Sequence, residues 1–502
     1  MLLEMHCHTA EHSSCSAVPA VELVRQVHAK GLQGIVLTDH HFLWSPAELA
    51  VLRREAGVPD HFRILSGQEL SSADLGDVLV YGAGESLPKG TSLAEVRTRF
   101  PAAALVWAHP YRGNREPDLA RLETLGLDGV EIFNSNHTVR GNSRGLRDWH
   151  RLRFTATAGT DTHGANYAGL YPTMFDHPVA SIDELAAEIR AGRCRPFLKE
   201  IPRSGAHALV TEVTIGTKGQ DEQRERFIVR ELESAPRWQS AERAFHILQA
   251  LVERGFDTGL FRVPRPIDED QAGMILIEQG VRGKSLFDKL TTSAPEDWHE
   301  YVELAARWLA RLHGLRLALT PATEFTLREE QRLARYQKRF SAIDHPHARK
   351  ATEIGERVLA EERALLAAGP ELLVQGHGDY HPKNIFIGQD SQENRSTLFV
   401  AAIDFESSLL VPPAFDVGCF LAQFRNQFFS RPRILAAVPE ELFLQAYTVE
   451  AGGVSADFPR QVELFRARAN LSIAAYLIKV GLGESPDLWR VLVEAERALT
   501  QL

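Results

Sequence analysis

From Met1 to about Leu198 the hydrophobic positions fall into short aliphatic runs: Leu2–His6, Gly34–Thr38, Arg63–Ser66, Ala104–Ala108, Gly129–Phe133 and Phe154–Ala158. Runs of this length, bounded by polar and turn-forming residues, predict buried strands. Between them, at Val18–Lys30, Pro46–Ala56, Leu93–Phe100, Leu119–Leu125, Arg144–Arg151 and Ile182–Ala191, apolar residues recur at helical spacing. Strand and helix in alternation mark a parallel sheet of βα units, and about six or seven units predict a barrel.

The pattern changes around KEIPRSG at 199–205. A hairpin is predicted over Ala208–Thr214 and Arg226–Leu232, turning through GTKGQDEQ at 216–223, with a further strand at Met274–Ile277. Helical periodicity dominates from Trp238 onward, and QDSQENRS at 389–396 reads as a hairpin tip. A small sheet followed by helices is an α+β order. The domain boundary is therefore placed at residue 200, giving domains 1–200 and 201–502. The second divides into a small lobe of about 201–280 and a large lobe of about 281–502.

A chain of 502 residues is too long for one core, and 44% hydrophobic with 24% charged residues is ordinary globular composition. The net charge of −10 argues against long nucleic acid as a partner, because binding it requires a basic face. Four cysteines, Cys7, Cys15, Cys194 and Cys419, lack CxxC spacing and exclude a disulfide framework. No apolar run reaches membrane-spanning length, and the chain is expected to be cytoplasmic, with no membrane partner.

Chemistry concentrates at the ends of the predicted strands. His6 and His8 alternate to one side of the first; Asp39-His40, Glu69, His109, Asn134 and Asp161-Thr162-His163 each follow a later one. In a parallel barrel these ends converge, and histidines gathered with carboxylates there suit divalent cations. Arg112 and Arg115 read as phosphate clamps or as a solvated loop.

HCHT at 6–9, TDHH at 38–41, GQE at 67–69, AHP at 108–110, VEIFN at 130–134 and GTDTH at 159–163 together resemble the PHP (polymerase and histidinol phosphatase) family over Met1–Leu198. The resemblance implies a distorted (β/α)7 PHP barrel that hydrolyses phosphoesters with two or three Mn, Zn or Fe ions. His6, His8, Glu69 and Asp161 would hold one metal, and Glu69 would bridge to a second held by His109. His40 and His163, with His12, would hold a third, and Asp39 stands in the same constellation. Asp77 occupies a position where many relatives carry histidine.

In the second domain, His377-Gly-Asp379-Tyr-His-Pro-Lys-Asn384 has the HxDxxxxN spacing of a kinase catalytic loop, and Asp404 ends the apolar run AAID twenty residues later. Asp379 can accept a hydroxyl proton, while Asn384 and Asp404 can hold Mg on the phosphates of ATP. LARLHG at 309–314, PPAFDVG at 412–418 and MILIEQGVRGKSL at 274–286 complete a resemblance to aminoglycoside phosphotransferases and choline kinases over Ile201–Leu502. It implies a bilobal, protein-kinase-like α+β domain. Arg230 would contact phosphate with Glu242 as partner, the backbone from Glu278 to Gly280 would meet adenine, and Asp416 would tie down the catalytic loop. Arg230 stands where a lysine is usual, and RSGAHA at 203–208 offers one glycine to a phosphate-covering loop, which leaves GTP as an alternative nucleotide.

The expected function is bifunctional: metal-dependent hydrolysis of a small phosphoester, and ATP-dependent phosphorylation of a hydroxylated metabolite. The alternative joins an active phosphoesterase, or a short-oligonucleotide exonuclease, to a nucleotide-sensing kinase-like module.

Overall fold

The computed structural model describes residues 1–164, 167–204, 208–216, 225–341, 347–368, 373–390 and 397–502. The expected turn at 216–223, the glycine loop at 203–208 and the hairpin tip at 389–396 lie wholly or largely outside these residues. By compactness the chain forms two units: Met1–Trp238 with Ile267–Gly280, and Gln239–Pro266 with Val281–Leu502.

In the first unit the strands are β1 (Leu2–Glu4), β2 (Gly34–Leu37), β3 (Arg63–Ser66), β4 (Gln68–Ser72), β5 (Gly76–Tyr81), β6 (Ala104–Trp107), β7 (Gly129–Asn134), β8 (Ala156–Gly159), β9 (Thr173–Phe175) and β10 (Cys194–Pro196). Helices α1 (Ala20–Ala29), α2 (Pro46–Ala56), α3 (Leu93–Arg99), α4 (Arg121–Thr124), α5 (Val139–Leu152) and α6 (Ile182–Arg190) lie between them.

The expected closed barrel is not what forms. The strands make two mixed five-stranded sheets, β10-β9-β1-β2-β3 and β4-β5-β6-β7-β8. The physical reason is the antiparallel β4–β5 hairpin, which lies between the expected strands Arg63–Ser66 and Ala104–Ala108. The chain turns at Gly67 directly from β3 into β4, and β4 pairs with β5 in place of continuing the parallel ladder. Single bridges, His40 with Glu69 and Cys7 with Thr162, are the strand-like links between the sheets among the described residues. Each bridge includes or adjoins a candidate site residue.

α5 lies unusually close to β7. A Cβ at Gly145 would fall 2.6 Å from the Ile132 carbonyl oxygen, so glycine permits the contact. Beyond β10, β11 (Leu198–Ser204), β12 (Ala208–Ile215) and β13 (Glu225–Leu232) pair antiparallel, and Ile275–Gln279 and Pro266–Asp270 extend the sheet. Val213, Ile215, Phe227, Val229 and Ile277 of this small sheet share one core with Ile132, Phe133 and Leu146 of β7 and α5. Arg147 of α5 pairs with Asp268 at 2.8 Å. The boundary near residue 200 therefore falls inside β11, within a single compact body.

The second unit is mostly helix. Trp298–Gly314, Ala322–Ser341, Ala348–Ala368, Pro413–Gln427 and Phe458–Lys479 contribute to one core, in which Trp308 stacks on Tyr380 with ring centroids 5.5 Å apart. A hairpin of Ile385–Gln389 and Leu398–Ala402 pairs Ile385 with Ala402. No described helix is long and apolar enough to cross a membrane.

Glu225, at the start of β13, supplies a test of this packing. Burial pushes its carboxyl up to about 7, against the lowering effect of hydrogen bonds from Asn142 and Tyr171. The folded state then holds a proton that the unfolded chain releases above its ordinary carboxylate pKa. This contribution is complete below about pH 4.5 and is lost as pH rises through about 7. Glu225→Gln should leave stability unchanged near pH 4.5 and raise it by about 3 kcal/mol at pH 8, read from unfolding curves at the two pH values.

Candidate metal centre and phosphotransfer loop

The end of β1 delivers His6 and His8, the turn after β2 delivers His40, β4 carries Glu69, and Asp161 follows β8. His6 Nε2, His8 Nε2, Glu69 Oε2 and Asp161 Oδ1 converge in a buried cage. His6 lies 3.2 Å from His8, 3.4 Å from Glu69 and 3.5 Å from Asp161 by these atoms; His8 lies 3.0 Å from Glu69 and 3.2 Å from Asp161. Ligand atoms about 2.0–2.2 Å from a tetrahedral ion would be separated by about 3.3–3.6 Å, so the five edges fit or fall slightly inside one small cation's coordination shell. The side chain of Glu131, on β7, lies 3.0 Å from His6 Nδ1, which directs the Nε2 lone pair into the cage.

Glu69 faces two ways. Its Oε1 is 2.9 Å from His109 Nε2, and Asp77 Oδ2 is 3.9 Å from the same nitrogen, so Glu69, Asp77 and His109 form a second group of ligand atoms. On the other side His40 and His163 stack against His8 at 4.6 and 4.8 Å, and His40 Nδ1 lies 3.4 Å from Glu69 Oε2. Cys15 joins His8 and His40 in a third group.

Three expected ligands stand outside these groups: His163, though stacked on His8, has its Nδ1 2.8 Å from the Asp161 carbonyl oxygen. His12 stacks on Phe42 at 3.6 Å and belongs to none of these groups. Asp39 accepts hydrogen bonds from Thr9 N, Thr9 Oγ1, Ser13 Oγ and Trp44 Nε1 at 2.6–2.9 Å, which engages both carboxylate oxygens in holding loops.

The electrostatics of the cage favour a cation. Burial lowers the pKa of His6, but Glu131, Asp161 and Glu69 outweigh it and hold the imidazole well above its ordinary value. Burial raises Glu69, while His6 and His109 outweigh that effect and hold it well below the carboxylate range. Arg112 also pairs with Asp161 Oδ2. Three buried carboxylates at one point require positive charge, which protonated His6, Arg112 or a divalent cation can supply. Backbone strain marks the same place: His109 and Asp161 adopt φ of 33° and 49°, uncommon for residues other than glycine.

Glu131 lies within the VEIFN match but carries no assigned role from sequence. A charge inside the otherwise apolar strand GVEIFN was its signal. Glu4, fully buried, accepts hydrogen bonds from His6 N, Thr160 N and Gly169 N and binds the ends of β1 and β8 together.

In the second unit, Asp416 accepts hydrogen bonds from His377 N at 2.7 Å and Gly378 N at 2.8 Å, and His313 Nε2 lies 3.1 Å away. A Cβ at Gly378, where φ is 84°, would meet the Ser407 carbonyl oxygen at 2.0 Å, so only glycine fits this turn. The loop leaves Asp379 43% exposed, 3.6 Å from His381. Desolvation raises the Asp379 pKa, but His381 outweighs it and holds the carboxyl below its ordinary value. Asn384 Nδ2 donates to the Asp379 carbonyl oxygen at 3.1 Å, and Ile403 N donates to the Asn384 carbonyl oxygen at 2.9 Å. Asn384 and Asp404 thus flank the same end of the Ile385–Gln389 hairpin, with Asp404 at φ 69°.

On the small sheet, Arg230 Nη1 lies 3.8 Å from the buried Glu278 carboxylate on the neighbouring strand. Glu242 stands on the helix Ala235–Val252.

Residues 200–452, half of the chain, match the model for the phosphotransferase enzyme family, and residues 140–194 match a PHP-associated segment. The chain belongs to the phosphotransferase enzyme family and carries a kinase-like phosphotransferase domain. An uncharacterized protein of Methanocaldococcus jannaschii is 27% identical over 117 residues, which cover 23% of this chain and 66% of that protein. Among solved structures, Plasmodium vivax ethanolamine kinase gives a TM-score of 0.38 at 14% identity, covering 60% of this chain and 82% of the kinase. Cryptosporidium parvum choline kinase gives 0.41 at 14%, covering 61% and 89%.

Asp416→Ala would leave the His377 and Gly378 amides without their acceptor. The expected loss is about 2–6 kcal/mol in urea unfolding, from two buried donors at about 1–3 kcal/mol each.

Proposed function

We propose that this chain is a bifunctional enzyme. One site hydrolyses a small phosphoester with two or three divalent transition-metal ions; the other transfers phosphate from ATP, with GTP as the alternative, to a small-molecule hydroxyl. The observation that carries the hydrolytic reading is the cage of His6, His8, Glu69 and Asp161, with five donor separations of 3.0–3.5 Å. Family membership and the anchored loop support the transfer reading.

Ions held by this donor set supply Lewis acidity, a water of lowered pKa and neutralisation of charge on the phosphoryl group. The remaining work falls to the protein. Glu131 keeps the His6 ring in one tautomer, and Glu69 divides its oxygens between the cage and His109. Arg112, on the outer oxygen of Asp161, can turn its guanidinium toward the phosphoryl oxygens of a substrate. His40 and His163 complete the outer side with Cys15 within reach, while Asp77 takes a place beside His109.

In the transfer site Asp379 remains ionised and accepts the proton of the acceptor hydroxyl. Asn384 and Asp404 receive the Mg that accompanies the nucleotide, and Asp416 holds the loop in register without touching substrate. Arg230, Glu242 and the backbone near Glu278 are the nucleotide contacts in this reading.

Glu69→Gln should lower phosphate release at least 100-fold and reduce bound metal, measured by elemental analysis, with phosphoryl transfer unchanged. Asp379→Ala should lower transfer about 10²–10⁴-fold at unchanged metal content. Loss of both activities in either folded variant would overturn the two-site reading.

A further inference from the structure

We infer that Glu225, in the segment matching the phosphotransferase family, is a positioning residue of the metal centre, acting through Asn142 and Asn134. The inference rests on the hydrolytic reading above. The PHP-associated match ends at residue 194 and the phosphotransferase match begins at 200, so family boundaries would assign Glu225 to the other activity.

The contacts assign it differently. Asn142 Nδ2 donates to Glu225 Oε1 and Oε2 at 3.2 and 3.1 Å, and Tyr171 donates its hydroxyl to Oε1 at 3.2 Å. The Asn134 backbone N–H can only donate, so it takes the Asn142 amide oxygen and leaves the amide nitrogen to Glu225, which accepts as a carboxylate or through the carbonyl oxygen of the neutral acid. The amide oxygen accepts from Asn134 N at 3.2 Å and lies 3.0 Å from His137 Nδ1. Asn142 thereby holds the end of β7.

From Asn134 the path reaches the cage in one step. Asn134 Nδ2 donates to Glu131 Oε2 at 3.0 Å and lies 3.5 Å from Asp161 Oδ2, while its own Oδ1 accepts from Asn136 N at 2.8 Å. Asn136 Nδ2 donates to Asp161 Oδ2 at 3.0 Å. Glu131 in turn aligns His6. Asn134 and Asn142 are completely buried, so water cannot readily replace a lost partner. Each donor in the path has an acceptor that fixes the next group's direction. A carboxylate on the small sheet thus holds an amide whose other end holds the backbone of Asn134, and the Asn134 side chain reaches Glu131 and Asp161.

An ordinary packing role for Glu225 predicts a change in stability alone. A positioning role predicts a change in metal affinity that the isosteric amide rescues, because Gln Oε1 can still accept from Asn142. The test uses the full chain and measures Zn(II) affinity by chelator competition, with circular dichroism to verify folding. Glu225→Ala should weaken Zn(II) binding about 10-fold, toward the lower end of the range for groups supporting metal ligands, and Glu225→Gln should remain within about twofold of wild type. Tyr171→Phe, which leaves the Asn142 contact intact, should also bind as wild type. If Glu225→Ala does not fold, Asn142→Leu removes the same link and should show the same weakening. Equal affinity in wild type and the folded link-breaking variant, or Glu225→Gln as weak as Glu225→Ala, overturns the inference alone. Absence of Zn(II) binding by wild type overturns the hydrolytic reading itself.

Discussion

Gathering Glu69, Glu131 and Asp161 at one buried point is the constraint on which the N-terminal half depends. Carboxylates removed from water repel one another unless cations or directed hydrogen bonds compensate them. His6 lies within reach of all three, and the strand ends around it are tied in ways that keep it there. Glu4 fastens His6 and Thr160 from below, while the bridge of His40 with Glu69 brings the edges of two sheets together at the cage. Sheet topology and site geometry share a cause: the ladder is interrupted where ligands must approach from both sides.

The phosphotransfer loop meets a different requirement. Its charges are fewer and more exposed, and the problem is to hold a turn in a conformation that ordinary residues disfavour. Asp416 does this by accepting two successive backbone amides, with His313 behind it. The carboxylate proposed to accept the proton, Asp379, can then remain accessible. Its support comes from a helix more than thirty residues later in sequence.

Much of this was legible in the sequence. Charged or imidazole residues at strand ends carried His6, His8, Glu69, His109 and Asp161, and HxDxxxxN carried Asp379 and Asn384. What periodicity could not convey is which partner a strand chooses. Nothing in QELSS or GDVLVY names β4 and β5 as each other's partners, and their antiparallel pairing changed an expected barrel into two sheets. Motif proximity could not separate ligands from supports either. Asp39 and His12 lie among the candidate ligands in sequence, yet one holds loops and the other stacks on Phe42. Glu131 had no assigned role because its partner is 125 residues away.

The core shared by α5, β7 and the small sheet also bears on dissection and ancestry. A fragment ending at residue 200 would carry its ligand residues but bare the apolar side that Val213, Phe227, Val229 and Ile277 cover. Such a surface favours self-association over a soluble monomer. The two halves are therefore poor candidates for free recombination as cassettes, because strands that belong to the second family match cover an apolar side of the first.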